Sequence, residues 1–196
     1  MLVKTIKIIA GLVLGIIIGV ILTVFTNALL VNAQITKVNG WHTIKGCGVP
    51  GDGILLKSAC SQVFPAINVP QEAVYWNTSI DGAGKALSGQ NDYILHFPPG
   101  GLPPNNAFWS LTMGDAKNHF VPNPINHYSV GDRSGLVPNA DGSVDIYIQN
   151  AAPTGHESNW LPAPTGNFNL WLRAYLPGAA ILDGQYTVPP VQEVQS

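Results

Sequence analysis

The chain has 196 residues, enough for one domain and an appendage but too few for two ordinary domains. Charged residues make up 10% of it and the formal net charge is −2. A nucleic-acid binder needs a basic face to displace counterions from phosphates, and this composition argues against that partner class.

Residues 1–7 read as a cytoplasmic N-terminus and residues 8–28 as a single transmembrane helix. Ile8 to Phe25 carries no charge. With its flanks it supplies about 20 apolar residues, which at ~1.5 Å rise cross a ~30 Å hydrocarbon layer. Lys4 and Lys7 precede the span and Lys37 is the first charge after it. The positive-inside rule therefore keeps the N-terminus inside and exports the rest. The competing reading is a signal peptide cut near Ala33, because Val31-Asn32-Ala33 has a small-x-small form. The apolar run is longer than an ordinary signal core, which favours an uncleaved anchor in the cell membrane over a secreted product. Gly11, Gly15 and Gly19 recur every four residues. Such a stripe would let two helices meet as a homodimer, although glycine is common in membrane helices generally.

Residues 29–70 read as a linker and lead-in segment punctuated by Gly46, Gly48, Pro50, Gly51 and Gly53. A short helix is expected around Ile54 to Val63, where Ile54, Leu55, Ala59 and Val63 would share one face. Cys47 and Cys60 are the chain's two cysteines. In an oxidising compartment they would close a disulfide loop worth ~3 kcal/mol on the chain-entropy estimate. With no second pair or histidine cluster at ligand spacing they make a poor metal site, and neither metal nor cofactor is expected.

After Pro70 the pattern changes to short β-like runs separated by turn chemistry. Ala73 to Ile80 is one run, and Tyr93, Leu95 and Phe97 alternate with Ile94 and His96 in a second. Ala107 to Met113 is a third. Val144, Ile146 and Ile148 alternate with Asp145, Tyr147 and Gln149. Phe168, Leu170, Leu172 and Ala174 alternate with Asn169, Trp171, Arg173 and Tyr175. Proline is concentrated in the connections, where it costs no ladder hydrogen bond. The expected fold is an all-β antiparallel sandwich, jelly-roll-like, over residues 71–196, standing outside the cell behind one N-terminal transmembrane helix.

Four segments occur in one order: FWSLTMGD at 108–115, NPINHYSVGD at 123–132, NADGSVDIYIQ at 139–149 and NWLPAPTGNFNLWLRAYLP at 159–177. Together they closely resemble the family called domain of unknown function 1214. The likeness covers residues 73–192 and is weaker over 38–70. It implies a compact β-sandwich of the kind that closes two-domain bacterial and archaeal proteins behind a family-1254 domain. It also implies a short, membrane-anchored form lacking that preceding domain, and it implies no particular activity. Two departures stand out: members usually carry an arginine where this chain has His127, and an aromatic residue where it has Gly114.

The sequence lacks a G-x-S-x-G elbow, an H-E-x-x-H pair, a Walker loop and a dinucleotide fingerprint, so it points away from an enzyme. Its five histidines are scattered. The richest polar-aromatic set is Trp109, Trp160, Arg173 and Tyr175, with Asn159, Tyr147 and His127 as further candidates. Aromatic faces beside an arginine and an amide suit a sugar ring or a planar anion. The structural alternative is an arginine bridging loops and Trp–Pro packing that staples Asn159-Trp160-Leu161-Pro162. Asp115, Asp132, Asp141 and Asp145 could supply a carboxylate pair, but Asp141 and Asp132 adjoin glycines in turn sequences. The first functional reading is a ligand-binding or envelope-associated module for a glycan or small anion. The second, from another class, is an envelope hydrolase or lyase built on His96, His119 or His127 with a carboxylate or metal.

Overall fold

The protein was analysed as a computed structural model that describes residues 2–44, 47, 49–63 and 68–194. The apolar N-terminus forms one continuous helix, α1 (Leu2–Gln34), of 33 residues. At ~1.5 Å per residue it is ~50 Å long, more than a ~30 Å hydrocarbon layer requires. Its apolar side chains from Val3 to Phe25 are exposed, and by length and composition the helix is able to cross a membrane. A second helix, α2 (Ile54–Val63), forms where expected and belongs to the same compact unit as α1. Of its expected face, Ala59 is buried, next to Cys60, whereas Ile54 and Leu55 are exposed, and the Val63 side chain lies outside the described residues. Cys60, on the buried side, is disulfide-bonded to Cys47.

The second unit, Thr36–Lys45 with Asn68–Ser196, is built of strands. Residues 35–44, read above as linker, form a hairpin of β1 (Ile35–Val38) and β2 (Trp41–Ile44). Asn39 and Gly40 have φ of 53° and 83°, the left-handed pair that a tight hairpin turn demands. Then come β3 (Ala73–Thr78), β4 (Tyr93–Phe97), β5 (Asn105–Asp115), β6 (Ser129–Gly131) and β7 (Val144–Gln149). β8 (Trp160–Pro162), β9 (Phe168–Pro177), the short helix α3 (Ala179–Leu182) and β10 (Val191–Glu193) complete the chain.

One sheet has six strands in the order β1-β2-β3-β9-β5-β6, and the other four in the order β10-β4-β7-β8. The pairing is mostly antiparallel, as the period-two patterns imply, but β7 and β8 run parallel. The core lies between the sheets. Val74, Trp76, Trp109, Leu111, Leu170 and Leu172 of one face meet Tyr93, Leu95, Phe97, Ile146 and Ile148 of the other. Strict alternation along β9 buries Phe168, Leu170, Leu172 and Ala174, so Trp171, Arg173 and Tyr175 turn to the opposite face. The long strand β5 carries a register shift between Asn105 and Phe108.

Beneath β1 and β2 is a small cavity of about 70 Å³ lined by Trp41, Thr43, Trp76 and Tyr186 among others. Burial holds the Tyr186 phenol well above its ordinary pKa, and its hydroxyl donates to the Gly101 carbonyl. The Thr43 hydroxyl is buried and has no hydrogen-bond partner among the described residues. An isosteric apolar side chain removes that desolvated group without opening a hole. Thr43→Val is therefore expected to leave the thermal midpoint unchanged or raise it by a few degrees, on the order of 1 kcal/mol. A clear drop in a melting curve would mean that this hydroxyl is engaged.

Candidate functional site

The solvent side of the six-stranded sheet collects the polar and aromatic residues that alternation expels from the core. The registers align them in three rows across the sheet. His42, Asn77, Trp171, Thr112 and Ser129 form the first. Tyr75, Arg173, Ser110 and Gly131 form the second. Ala73, Tyr175 and Phe108 form the third. With strands ~4.8 Å apart and alternate residues ~6.7 Å apart along each strand, the patch measures roughly 19 Å by 13 Å.

Its centre is aromatic and cationic. Phe108 and Tyr175 stack with centroids 4.3 Å apart and planes at 20°. The Arg133 guanidinium lies 4.4 Å from the Phe108 centroid. Phe108 thus touches both the Tyr175 ring and the Arg133 guanidinium. Arg173 donates from Nη1 to Thr112 Oγ1 at 2.7 Å, and its guanidinium carbon is 5.8 Å from the Trp171 ring. Burial raises the pKa of the Tyr75 phenol, Tyr175 raises it further, and Arg173 pulls it down. These three side chains thus sense one another. Burial, and then the positive charge of Lys37, lower the pKa of His42 and keep it neutral around pH 7.

Of the residues singled out from the sequence, Arg173 and Tyr175 are together on this face. Trp109 is not, because β5 points it inward against Phe97, 5.6 Å between centroids. Trp160 is also buried and donates from Nε1 to the Gln149 carbonyl, a strap between β7 and the β8 segment. Asn159 is buried, and its amide binds the Val137 N–H, the Val137 carbonyl and the Asp145 carbonyl. His127 lies in the loop before β6, where Asn123 grips both its backbone N–H and its carbonyl. Gly114 faces Asn169: a Cβ there would stand 2.7 Å from Asn169 Oδ1, so any side chain at this position would displace the Asn169 amide.

The sequence reading missed Tyr75, Phe108 and Arg133. Parity within β3 could have found Tyr75, but the irregularity in β5 and the turn after β6 hid the other two.

The remaining polar candidates lie elsewhere. His96 Nδ1 is 2.6 Å from Asp145 Oδ1 across the β4–β7 pair, and Asn139 Nδ2 donates to the other carboxylate oxygen. No hydrogen bond joins His96 to a serine, threonine or cysteine among the described residues. Asp115 accepts the Lys117 and His119 backbone N–H groups, and the His119 bond leads in lowering its pKa. Asp141 accepts from the Ser143 hydroxyl and N–H, which lower its pKa likewise. Both carboxylates are committed to their own turns rather than facing each other across a substrate. Among the described residues no three His, Cys, Asp or Glu side chains converge as metal ligands. An open cleft of about 540 Å³ runs between the 81–85 turn and β10, crossed by the Lys85–Glu193 ion pair at 3.1 Å.

The fold is similar to that of the VPA0106 protein from Vibrio parahaemolyticus, with 29% identity and a TM-score of 0.63 over 74% of this chain and 36% of that one. An uncharacterised protein from Burkholderia cenocepacia matches at 18% identity and a TM-score of 0.45, over 71% of this chain and 33% of the other. The chain thus spans about a third of the length of the solved structures it matches. No curated protein matches. The model of the family described as Protein of unknown function (DUF1214) matches residues 72–179, more than half of the chain and all of the aromatic–arginine face except β1, β2 and their Lys37 and His42. The chain is a member of the DUF1214 family.

Proposed function

We propose that this is a membrane-anchored, extracytoplasmic β-sandwich protein that binds a glycan or small anion on the solvent face of its six-stranded sheet. One observation carries the reading: Phe108, Tyr175, Tyr75 and Trp171 surround Arg173 on a face that the core does not need. Flat rings take the apolar faces of a sugar, and a forked guanidinium takes oxygens. The anchor is supported by a helix longer than a bilayer is thick, and the outward orientation by Lys4 and Lys7 ahead of the span. The Cys47–Cys60 disulfide suits an oxidising compartment. Val31-Asn32-Ala33 lies within α1 rather than in an exposed loop open to proteolysis, which favours the anchored over the secreted form.

The test is a titration of the full chain in nanodiscs with neutral and acidic oligosaccharides and with small anions. Tyr175→Leu should weaken the bound member of that panel by about tenfold, the equivalent of ~1.4 kcal/mol, while melting as wild type does. Wild-type affinity in that variant, or no binding in the whole panel, would remove the reading.

The oriented His96–Asp145 pair favours a second reading, an envelope hydrolase or lyase. It predicts that the same oligosaccharides are cleaved and that His96→Ala abolishes cleavage. Intact oligosaccharides after prolonged incubation count against it.

A further inference from the structure

We infer that the ligand of the outer face is an acidic sugar, a pyranose bearing a carboxylate, rather than a neutral glycan or a ringless anion; this rests on the binding reading above. The chain has two arginines, Arg133 and Arg173, and both are on this face. Lys37 adds a third cation beside His42, so three of the nine Lys and Arg residues share one sheet surface of a chain whose net charge is −2. Such clustering is not what a merely solvated face shows, where both signs intersperse.

Neither arginine is ion-paired among the described residues. Arg133 makes one long bond, 3.3 Å from Nη2 to the Ala107 carbonyl, and Arg173 makes its bond to Thr112. A guanidinium has five N–H donors in a planar fork, so each keeps donors for an incoming oxygen pair. Glu72, just before β3, and Asp132, beside Arg133, form no ion pair with either arginine. A carboxylate is the group that matches this fork in two parallel bonds.

The rings decide between a bare anion and a sugar. Along β9, Trp171, Arg173 and Tyr175 follow one another at ~6.7 Å intervals, an aromatic–cation–aromatic order with all three half-buried. A ringless anion would meet the arginine and leave both rings unused. A neutral sugar would use the rings and leave two guanidinium groups unpaired. A chain of uronic acid residues presents a ring face and a carboxylate in each unit and satisfies both.

The experiment titrates the full chain, in nanodiscs of zwitterionic lipid, with a galacturonic acid tetramer, with the same tetramer methyl-esterified, and with inorganic phosphate. The acid should bind at least about tenfold more tightly than the ester, and its affinity should fall as salt rises. Arg133→Gln and Arg173→Gln should each shrink the acid–ester difference severalfold; Arg133 is exposed, so its variant tests the point even where Arg173→Gln folds poorly. Equal binding of acid and ester would overturn the acidic preference and leave the glycan reading standing. No binding of either would remove both. Phosphate binding as tight as the acid would overturn the proposal, because the rings would then contribute nothing. An undiminished acid–ester difference in the Arg133 variant and in a folded Arg173 variant would overturn it too, since the charge would be read elsewhere.

Discussion

Gly89→Ala is expected to lower the thermal midpoint by roughly 10 °C or more, the largest loss expected from a Cβ added at any described glycine. A Cβ at Gly89 would stand 1.5 Å from the Pro164 carbonyl oxygen, 2.6 Å from its carbon and 3.1 Å from the Thr165 Cα. All three are backbone atoms, so no side-chain rotation relieves the overlap. The two segments are also stitched together. Gly89 donates to the Gly166 carbonyl at 3.0 Å, Phe168 donates to the Leu87 carbonyl, and Ser88 bridges Asn167. Separating them pulls on Leu87, which is fully buried, and on the first residue of β9. Overpacking by one methylene in a yielding site costs about 1–3 kcal/mol, and here the site does not yield. Against a total stability of ~5–15 kcal/mol, a loss at or above the top of that range is severe. Gly166→Ala is the control, because a Cβ there meets nothing within 4 Å and should change the midpoint by no more than about 0.5 kcal/mol. Near-ultraviolet dichroism of the two variants, recorded on heating, compares them directly. Matching melts would show that the 88–91 and 164–167 segments do not pack as described.

How much of this could be read from the residues depends on the period and length of each element. Val144 to Gln149 and Phe168 to Tyr175 alternate cleanly, and β7 and β9 have the expected inward and outward faces. The two sheets and the outward placement of Arg173 and Tyr175 follow from that alternation alone. Three-residue strands such as β6, β8 and β10 carry too few positions to show a period, so the parallel β8 was invisible. The β1–β2 hairpin is different, since its signal was present: Asn39-Gly40 stands between two short alternating runs. Its position between a membrane-like helix and a glycine-rich stretch made it look like linker. The site was half visible for a similar reason. Residues on one strand share a face by parity, but Phe108 and Arg133 reach Tyr175 only through strand pairing, which no single segment encodes. Trp109 illustrates the converse. An aromatic residue in a polar-aromatic motif suggests a ligand, yet its parity with Leu111 and Met113 commits it to the core.

Asn159→Ala separates architecture from recognition, and it should cost on the order of 3 kcal/mol without changing ligand affinity at 25 °C. The Asn159 amide is buried and hydrogen-bonds the 136–138 loop to the start of β8. Its Oδ1 accepts from the Val137 N–H at 2.8 Å, and its Nδ2 donates to the Val137 carbonyl at 2.8 Å and the Asp145 carbonyl at 2.9 Å. Truncation leaves one N–H and two carbonyls without this partner, each worth about 1–3 kcal/mol if water does not replace it. For a chain of this size that is a fall of roughly 6–12 °C in midpoint. Asn159→Asp should be worse at neutral pH, because a carboxylate would face two carbonyl oxygens and supply no donor. Burial and those carbonyls raise the folded-state pKa of the introduced carboxyl above its unfolded value of ~3.9. The folded state then binds more protons than the unfolded one, so the penalty is smallest below that value and grows as pH rises through the folded pKa. Melts of both variants between pH 4 and 8, with amide exchange at Val137 as the local probe, read these effects. Faster exchange at Val137 with unchanged glycan affinity assigns Asn159 to the scaffold. A loss of affinity in a variant that melts normally would instead move the binding face toward β7 and β8, away from Arg173.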